Sequence, residues 1–218
     1  MSLRADSLYR FYRAGDDETL ALRGVSLTID QGEMVALSGP SGSGKSTLLS
    51  CLSGVDEPSG GTVWVDGERI SGRTETERAA LRARSIGTMA QRSDLIEHLS
   101  VLGNLRLVRG LAAPKGGTRR ADELLERLGI AHRSHARPNQ LSGGERVRAS
   151  LAVAIANGPA VLLADEPTGE LDEGNEERVL QLLREHAEGG CAVLVASHSD
   201  VVVAACDRTL RLRDGVLV

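Results

Sequence analysis

Apolar residues along this chain fall into three patterns. The runs Glu33-Met34-Val35-Ala36-Leu37-Ser38, Ala160-Val161-Leu162-Leu163-Ala164 and Cys191-Ala192-Val193-Leu194-Val195-Ala196 are apolar without alternation. A strand covered on both faces needs an apolar residue at every position, so these runs predict parallel strands in a buried sheet. By contrast, Leu20 to Ile29 and Gly61 to Gly67 alternate with period two between turn residues, which predicts antiparallel strands with one face in water. Helical spacing follows the first run at Lys45 to Leu52. It appears again between the second and third runs, where Val179, Leu180, Leu182, Leu183 and His186 predict a crossover helix. From about Thr74 to Leu128 the pattern turns helical, with Ala121, Leu124, Leu125 and Leu128 on one face and a turn-rich break at Ala113-Pro114-Lys115-Gly116-Gly117.

Together these patterns predict an α/β fold: a mainly parallel sheet core, an antiparallel β subdomain and a helical subdomain. The expected division is a core plus β subdomain at 1–90 and 158–218 and a helical subdomain at about 91–157, within one domain spanning 1–218. No internal repeat or low-complexity segment is evident. A chain of 218 residues, 41% hydrophobic, has enough apolar material for one sizeable core.

Charge narrows the partners. The 26 basic and 30 acidic residues are interspersed and leave a formal net charge of -4, so there is no basic stripe and no nucleic-acid partner is expected. Cys51, Cys191 and Cys206 are widely spaced and lack metal-binding spacing, which predicts reduced core thiols in a cytosolic protein. The N-terminus carries no apolar signal core, and no run approaches the roughly 18 apolar residues of a membrane span. Work at a membrane would need a span supplied by another chain.

Candidate chemistry begins at Gly39-Pro40-Ser41-Gly42-Ser43-Gly44-Lys45-Ser46-Thr47, between a predicted strand and a predicted helix. Glycines there let the backbone N–H groups of Ser41, Gly42, Ser43 and Gly44 converge on phosphate oxygens, and the helix start adds its positive dipole end. Lys45 reaches the β and γ phosphates of a nucleotide, Ser46 offers its hydroxyl to Mg2+, and Thr47 donates to the α phosphate. Such a pattern arises by chance in about one chain in a hundred of this length. The strand before it and the helix after it make chance rarer still.

A second candidate is the pair Asp165 and Glu166 at the end of the second apolar run, where ligands of α/β sheets bind. Asp165 suits Mg2+ through a water, and Glu166 can orient or deprotonate the water attacking the γ phosphate. Read alone, both are equally well ordinary strand-end acids. Leu141-Ser142-Gly143-Gly144-Glu145 is likewise open to two readings. Ser142 and Glu145 form a capping box, while Gly143 and Gly144 leave bare N–H groups at a helix start, which is also an anion site.

With these motifs in this order, the sequence resembles the ATP-binding domains of ABC proteins, whose defining signature is LSGG followed by Gln or Glu. The resemblance covers nearly the whole chain and implies a P-loop NTPase of the ABC ATPase type, binding ATP and Mg2+. It implies that Gln91 is the Q-loop glutamine, touching the metal or water. It also implies that Asp172 is the D-loop aspartate and His198 the switch histidine, placed to hydrogen-bond the γ phosphate. Glu166, His198, Gln91 and Lys45 are then the candidate catalytic residues, with Ser46, Gln91 and Asp165 around the metal. Tyr12, in Tyr9-Arg10-Phe11-Tyr12-Arg13, is similar to the aromatic that stacks on adenine, with Phe11 and Tyr9 as alternatives. The family also implies a head-to-tail dimer of two copies. In it each ATP lies between the P-loop of one copy and Ser142, Gly143 and Gly144 of the other, with Asp172 nearby.

Single cassettes of this kind power a separately encoded transmembrane permease, which would place this chain on the cytoplasmic face of the cell membrane. Force transmission without transport and a soluble non-transport role are the alternatives. The approach from Gly15 to Leu20 resembles the lipoprotein-release and macrolide-export group. Two residues depart from the family pattern: Ala90 stands where an aromatic usually precedes Gln91, and Glu170 replaces a small or amide residue before Leu171-Asp172. Both bear on coupling to a partner.

Overall fold

A computed structural model describes residues 1–14, 17–90, 95–112, 121–169 and 171–218. At its centre lies a sheet of order β10-β9-β3-β8-β7-β6. The strands are β3 (Met34–Ser38), β6 (Ile86–Met89), β7 (Val161–Asp165), β8 (Ala192–Ala196), β9 (Arg208–Arg213) and β10 (Val216–Leu217). Strands β3 and β9, β3 and β8, β7 and β8, and β6 and β7 pair parallel, while β10 closes the edge antiparallel to β9.

The unbroken apolar runs now have their reason. Leu162, Ala164, Val193 and Val195 pack into a cluster on one face of the sheet, and Val161, Leu163, Ala192, Leu194 and Ala196 into a second cluster on the other. Successive strand residues point to opposite faces, so a strand that divides its side chains between two cores cannot alternate with polar residues.

The second cluster is shared with an antiparallel sheet of order β2-β1-β4-β5, made of β1 (Leu3–Ala14), β2 (Asp17–Ile29), β4 (Gly60–Val65) and β5 (Glu68–Arg69). Between the sheets runs α1 (Lys45–Leu52), with Leu48, Leu49, Cys51 and Leu52 buried. The first cluster takes in α3 (Val101–Leu111), α4 (Ala121–Arg127), α5 (Gly143–Ile155) and the crossover helix α6 (Glu173–Glu188). Helix α2 (Glu75–Ser85) sits before β6, and α7 (Asp200–Ala205) precedes β9.

One expectation is corrected. The stretch from Thr74 to Leu128 is not helical throughout, because Ile86–Met89 forms β6 at the sheet edge, paired with β7. Four residues directly after a charged helix are too few for a periodicity to register. Cys51 and Cys191 are core side chains and Cys206 is partly buried; burial pushes the first two thiols up to about 12 and the third to about 11, which disfavours the reactive thiolate.

Candidate functional site

The carboxyl ends of β3, β7 and β8 open into a cleft of about 1130 Å3. Its floor is the P-loop, Gly39 to Thr47. The loop's shape is dictated by what surrounds it. A Cβ at Gly39 would collide with the Leu212 carbonyl oxygen, and one at Gly44 would lie 2.7 Å from that of Ala21. Gly44 also has φ of 105°, a conformation side chains resist. Gly215 N–H donates to the Ser43 carbonyl at 3.0 Å. The hairpin β9–β10 and strand β2 thus clamp the loop from outside, while inside it the Ser43 N–H donates to the Pro40 carbonyl at 3.2 Å. Lys45 folds back, donating from Nζ to the carbonyls of Gly39 at 2.7 Å and Pro40 at 3.3 Å. The Ser43 hydroxyl is buried and makes no hydrogen bond.

Asp165 and Glu166 line the same cleft, as does His198. Glu166 lies just past β7 with φ of 48°, which is uncommon for a residue with a side chain. Its N–H donates to the Ala196 carbonyl at 2.9 Å, binding it to the end of β8. The carboxylate is held by both residues that follow β8. Ser197 Oγ donates to Oε2 at 3.1 Å, and His198 Nδ1 lies 2.9 Å from Oε1. Glu176 of α6 steadies these segments, accepting from Thr168 Oγ1 at 2.9 Å and Ser199 Oγ at 3.3 Å. Ser46 and Asp165 offer an alcohol and a carboxylate oxygen in one cleft, a donor set that fits a hard cation such as Mg2+.

Of the aromatic candidates, Tyr12 lines the cleft; Tyr9 and Phe11 do not. Tyr9 is used elsewhere, since a Cβ at Gly24 would lie 3.0 Å from its hydroxyl. Gln91 lies outside the described residues, as does Glu170.

Ser142, Gly143, Gly144 and Asp172 are placed elsewhere. They do not line the cleft but form a second cluster, where the start of α5 meets the start of α6. Ser142 and Glu145 make the expected capping box. Asp172 caps α6, its Oδ1 accepting from Asn175 N–H at 2.9 Å, and that bond holds its carboxyl below the usual range. Asn175 is the hinge of the cluster. It donates from Nδ2 to Asp172 Oδ2 at 2.9 Å, accepts from Arg148 Nη1 at 3.0 Å and packs against Gly144. Asn175, Arg148, Thr168, Glu176 and the cleft-lining Asp214 and Gly215 were not singled out from the sequence. Arg148 and Asn175 lie 27 residues apart, and Ser199 and Glu176 23; the local signal among them is the Asp214-Gly215 pair, a turn sequence in which Asp214 takes a positive φ.

A family model described as ABC transporter matches residues 22–169. The chain is 42% identical over 220 residues to the lipoprotein-releasing system ATP-binding protein LolD of Gluconobacter oxydans, covering 100% of this chain and 95% of that protein. It is 45% identical to the macrolide export ATP-binding/permease protein MacB of Rhodopseudomonas palustris over 97% of its own length, but spans only 33% of that relative. Among solved structures, a dimeric bacterial ABC transporter cassette matches with a TM-score of 0.89 at 34% identity, over 99% of this chain and 96% of that one. A cassette in a post-hydrolysis state bound to ADP and phosphate matches with a TM-score of 0.90 at 32% identity, with the same coverage.

Proposed function

The chain belongs to the ABC transporter family as an ATPase cassette, and from that premise we propose that it powers a separately encoded transmembrane permease through ATP-driven pairing of two copies. The observation that carries the chemistry is the Glu166 carboxylate, fixed by Ser197 and His198 at the open end of a phosphate cradle. In this reading residues 1–218 are one cassette, with a helical subdomain at about 91–157.

ATP lies with its triphosphate over Gly39 to Thr47 and its base toward Tyr12. Lys45 leaves the Gly39 and Pro40 carbonyls for the β and γ phosphates, exchanging neutral acceptors for charged ones. Ser46 and Asp165 would hold Mg2+, which when bound would supply positive charge beside the phosphates. Glu166 takes a proton from a water as its oxygen bonds to the γ phosphorus. The bond to the ADP oxygen breaks, giving ADP and inorganic phosphate. Ser142, Gly143 and Gly144 of a second copy close over the γ phosphate, so closure depends on that phosphate and hydrolysis releases it.

A permease on another chain is supported by the lipoprotein-releasing relative, itself named an ATP-binding protein. No helix among the described residues is long and apolar enough to cross a membrane. The cassette would then sit on the cytoplasmic face of the membrane, held by its permease.

Glu166→Gln tests the assignment. It keeps the shape of the carboxylate but cannot accept the proton, so turnover should fall about 100-fold or more while nucleotide binding persists and an ATP-bound dimer accumulates in gel filtration. Wild-type hydrolysis by this variant would remove Glu166 from the chemistry.

A further inference from the structure

Behind Tyr12 lies a group of side chains that the phosphate chemistry leaves unused. The Arg10 guanidinium carbon sits 4.6 Å from the centre of the Tyr12 ring. Asp56 grips that guanidinium at two points, Oδ2 accepting from Nε at 2.8 Å and Oδ1 lying 2.7 Å from Nη2. The Tyr12 hydroxyl donates to the same Oδ2 at 2.8 Å. One carboxylate therefore fixes both the cation beneath the ring and the ring's far end. Arg10 and Asp56 are three-quarters buried or more, whereas Tyr12 is 39% exposed and lines the cleft.

The anchor of this group is the phosphate-binding helix. Asp56 N–H donates to the Ser50 carbonyl of α1 at 3.0 Å, and α1 begins at Lys45. A continuous path runs from the P-loop through α1 to Asp56, and through Asp56 to the Tyr12 ring. On an exposed strand an aromatic side chain would have to give up rotamer freedom each time it stacked on a ligand. Here the ring is already held, with one face covered by Arg10 and the cleft side left open.

We propose that Arg10 and Asp56 are positioning residues for the nucleotide base: they fix the Tyr12 ring at a set distance from the phosphate cradle and so strengthen binding of the adenine end of ATP. This rests on Tyr12 being the base-stacking ring. Among the described residues, the side chains of Arg10 and Asp56 pair with each other and with Tyr12 and with no residue of Gly39 to Thr47, so the effect should fall on KM for nucleotide and leave kcat in place.

The test is steady-state ATP hydrolysis by the full chain carrying Arg10→Met, Asp56→Asn, Arg10→Lys, Tyr12→Ala or the double change Tyr12→Ala with Arg10→Met. Inhibition by inorganic tripolyphosphate, a ligand without a base, is measured alongside. Arg10→Met and Asp56→Asn should raise KM for ATP about threefold to tenfold with kcat within about twofold and tripolyphosphate inhibition unmoved. Arg10→Lys, which keeps a cation under the ring, should recover part of the loss. The double variant should match Tyr12→Ala alone, since the pair acts through that ring.

If Tyr12→Ala raises KM while Arg10→Met and Asp56→Asn behave as wild type, the proposal fails and base stacking on Tyr12 stands. If Tyr12→Ala leaves KM unchanged, the base-stacking assignment itself is wrong. A parallel weakening of tripolyphosphate inhibition would show general loosening of the P-loop and overturn the proposal. Thermal melts identify any variant that is merely unfolded, and Arg10→Lys then carries the comparison.

Discussion

The two glycine-rich helix starts of this molecule, at α1 and at α5, are built from similar residues for opposite surroundings. The start of α1 opens into a cleft shared with Asp165, Glu166, His198 and Tyr12. Backbone clamps it from outside, and its charged side chain, Lys45, rests on carbonyls of its own loop. The start of α5 lies away from that cleft. Ser142 and Gly143 are exposed, Gly144 is covered by Asn175, and Glu145 is tied to Arg133 and His132. One helix start thus has its reaction partners in the same chain. The other is supported from behind and presents its tip outward, as a site completed by a second copy would require.

The sharpest way to break this contrast is at the exposed tip. Ser142→Arg places a long cation where the proposed partner's ATP must approach the α5 start. In a Glu166→Gln background, ATP-dependent dimerisation measured by sedimentation should weaken about 100-fold or more, since the variant removes a cap and obstructs the face together. Nucleotide affinity of the monomer should stay at the parent value. An undisturbed dimer would make the α5 start an ordinary capped helix.

A smaller effect is expected at the supported side. A Cβ at Gly144 would collide with Asn175 Oδ1 and lie 2.6 Å from its Cγ. Asn175 cannot simply swing away, because Asp172 and Arg148 both hold it. Gly144→Ala should therefore destabilise by about 1–3 kcal/mol in urea melts through overpacking, despite the roughly 1 kcal/mol helix preference of Ala over Gly. Adding Asn175→Ala should recover most of the loss. If the double variant melts no higher than Gly144→Ala, contact with Asn175 is not what requires a glycine there.

How much of this was legible in the sequence differs between the same two regions. The P-loop is contiguous, flanked by apolar β3 and the helical pattern of α1, and its chemistry could be written from Gly39 to Thr47 alone. The buried strands were legible because Val161 to Ala164 and Ala192 to Ala196 feed two cores at once. Strand β1 was not read as a strand. Its 12 residues mix Arg4, Arg10 and Arg13 with apolar positions, and its pairing shifts register three times against β2, which spoils the period-two pattern. The bracing side chains were out of reach for a different reason. Arg10 and Asp56 are 46 residues apart, Arg148 and Asn175 27, and Ser197 and Glu166 31. Apart from Glu166, none sits where the neighbouring sequence marks a site, so sequence names the groups lining the cleft far better than those holding them in place.

The smallest expected effect concerns the charge that supports the α5 start. Glu145 is 9% exposed, and its carboxylate accepts from Arg133 Nε at 2.9 Å and Ser142 N–H at 2.9 Å, with His132 Nε2 at 3.3 Å. Arg133 and that backbone bond hold its pKa down to about 2, against an ordinary value of 4.5. The folded state therefore prefers the ionised form. The resulting stability is fully present above the unfolded pKa and is lost as pH falls from there toward about 2. Because Arg133 and His132 are both substantially exposed, solvent screening trims the benefit to about 1–2 kcal/mol. Glu145→Gln retains an acceptor for the Ser142 N–H but loses the charge. It should melt lower than wild type by that amount at about pH 7, with the gap narrowing by about pH 4 as the wild-type chain begins to lose its advantage. A gap that stays constant across that range would place the role of Glu145 in shape and capping rather than in charge. The two helix starts would then differ in what they face and not in how they are held.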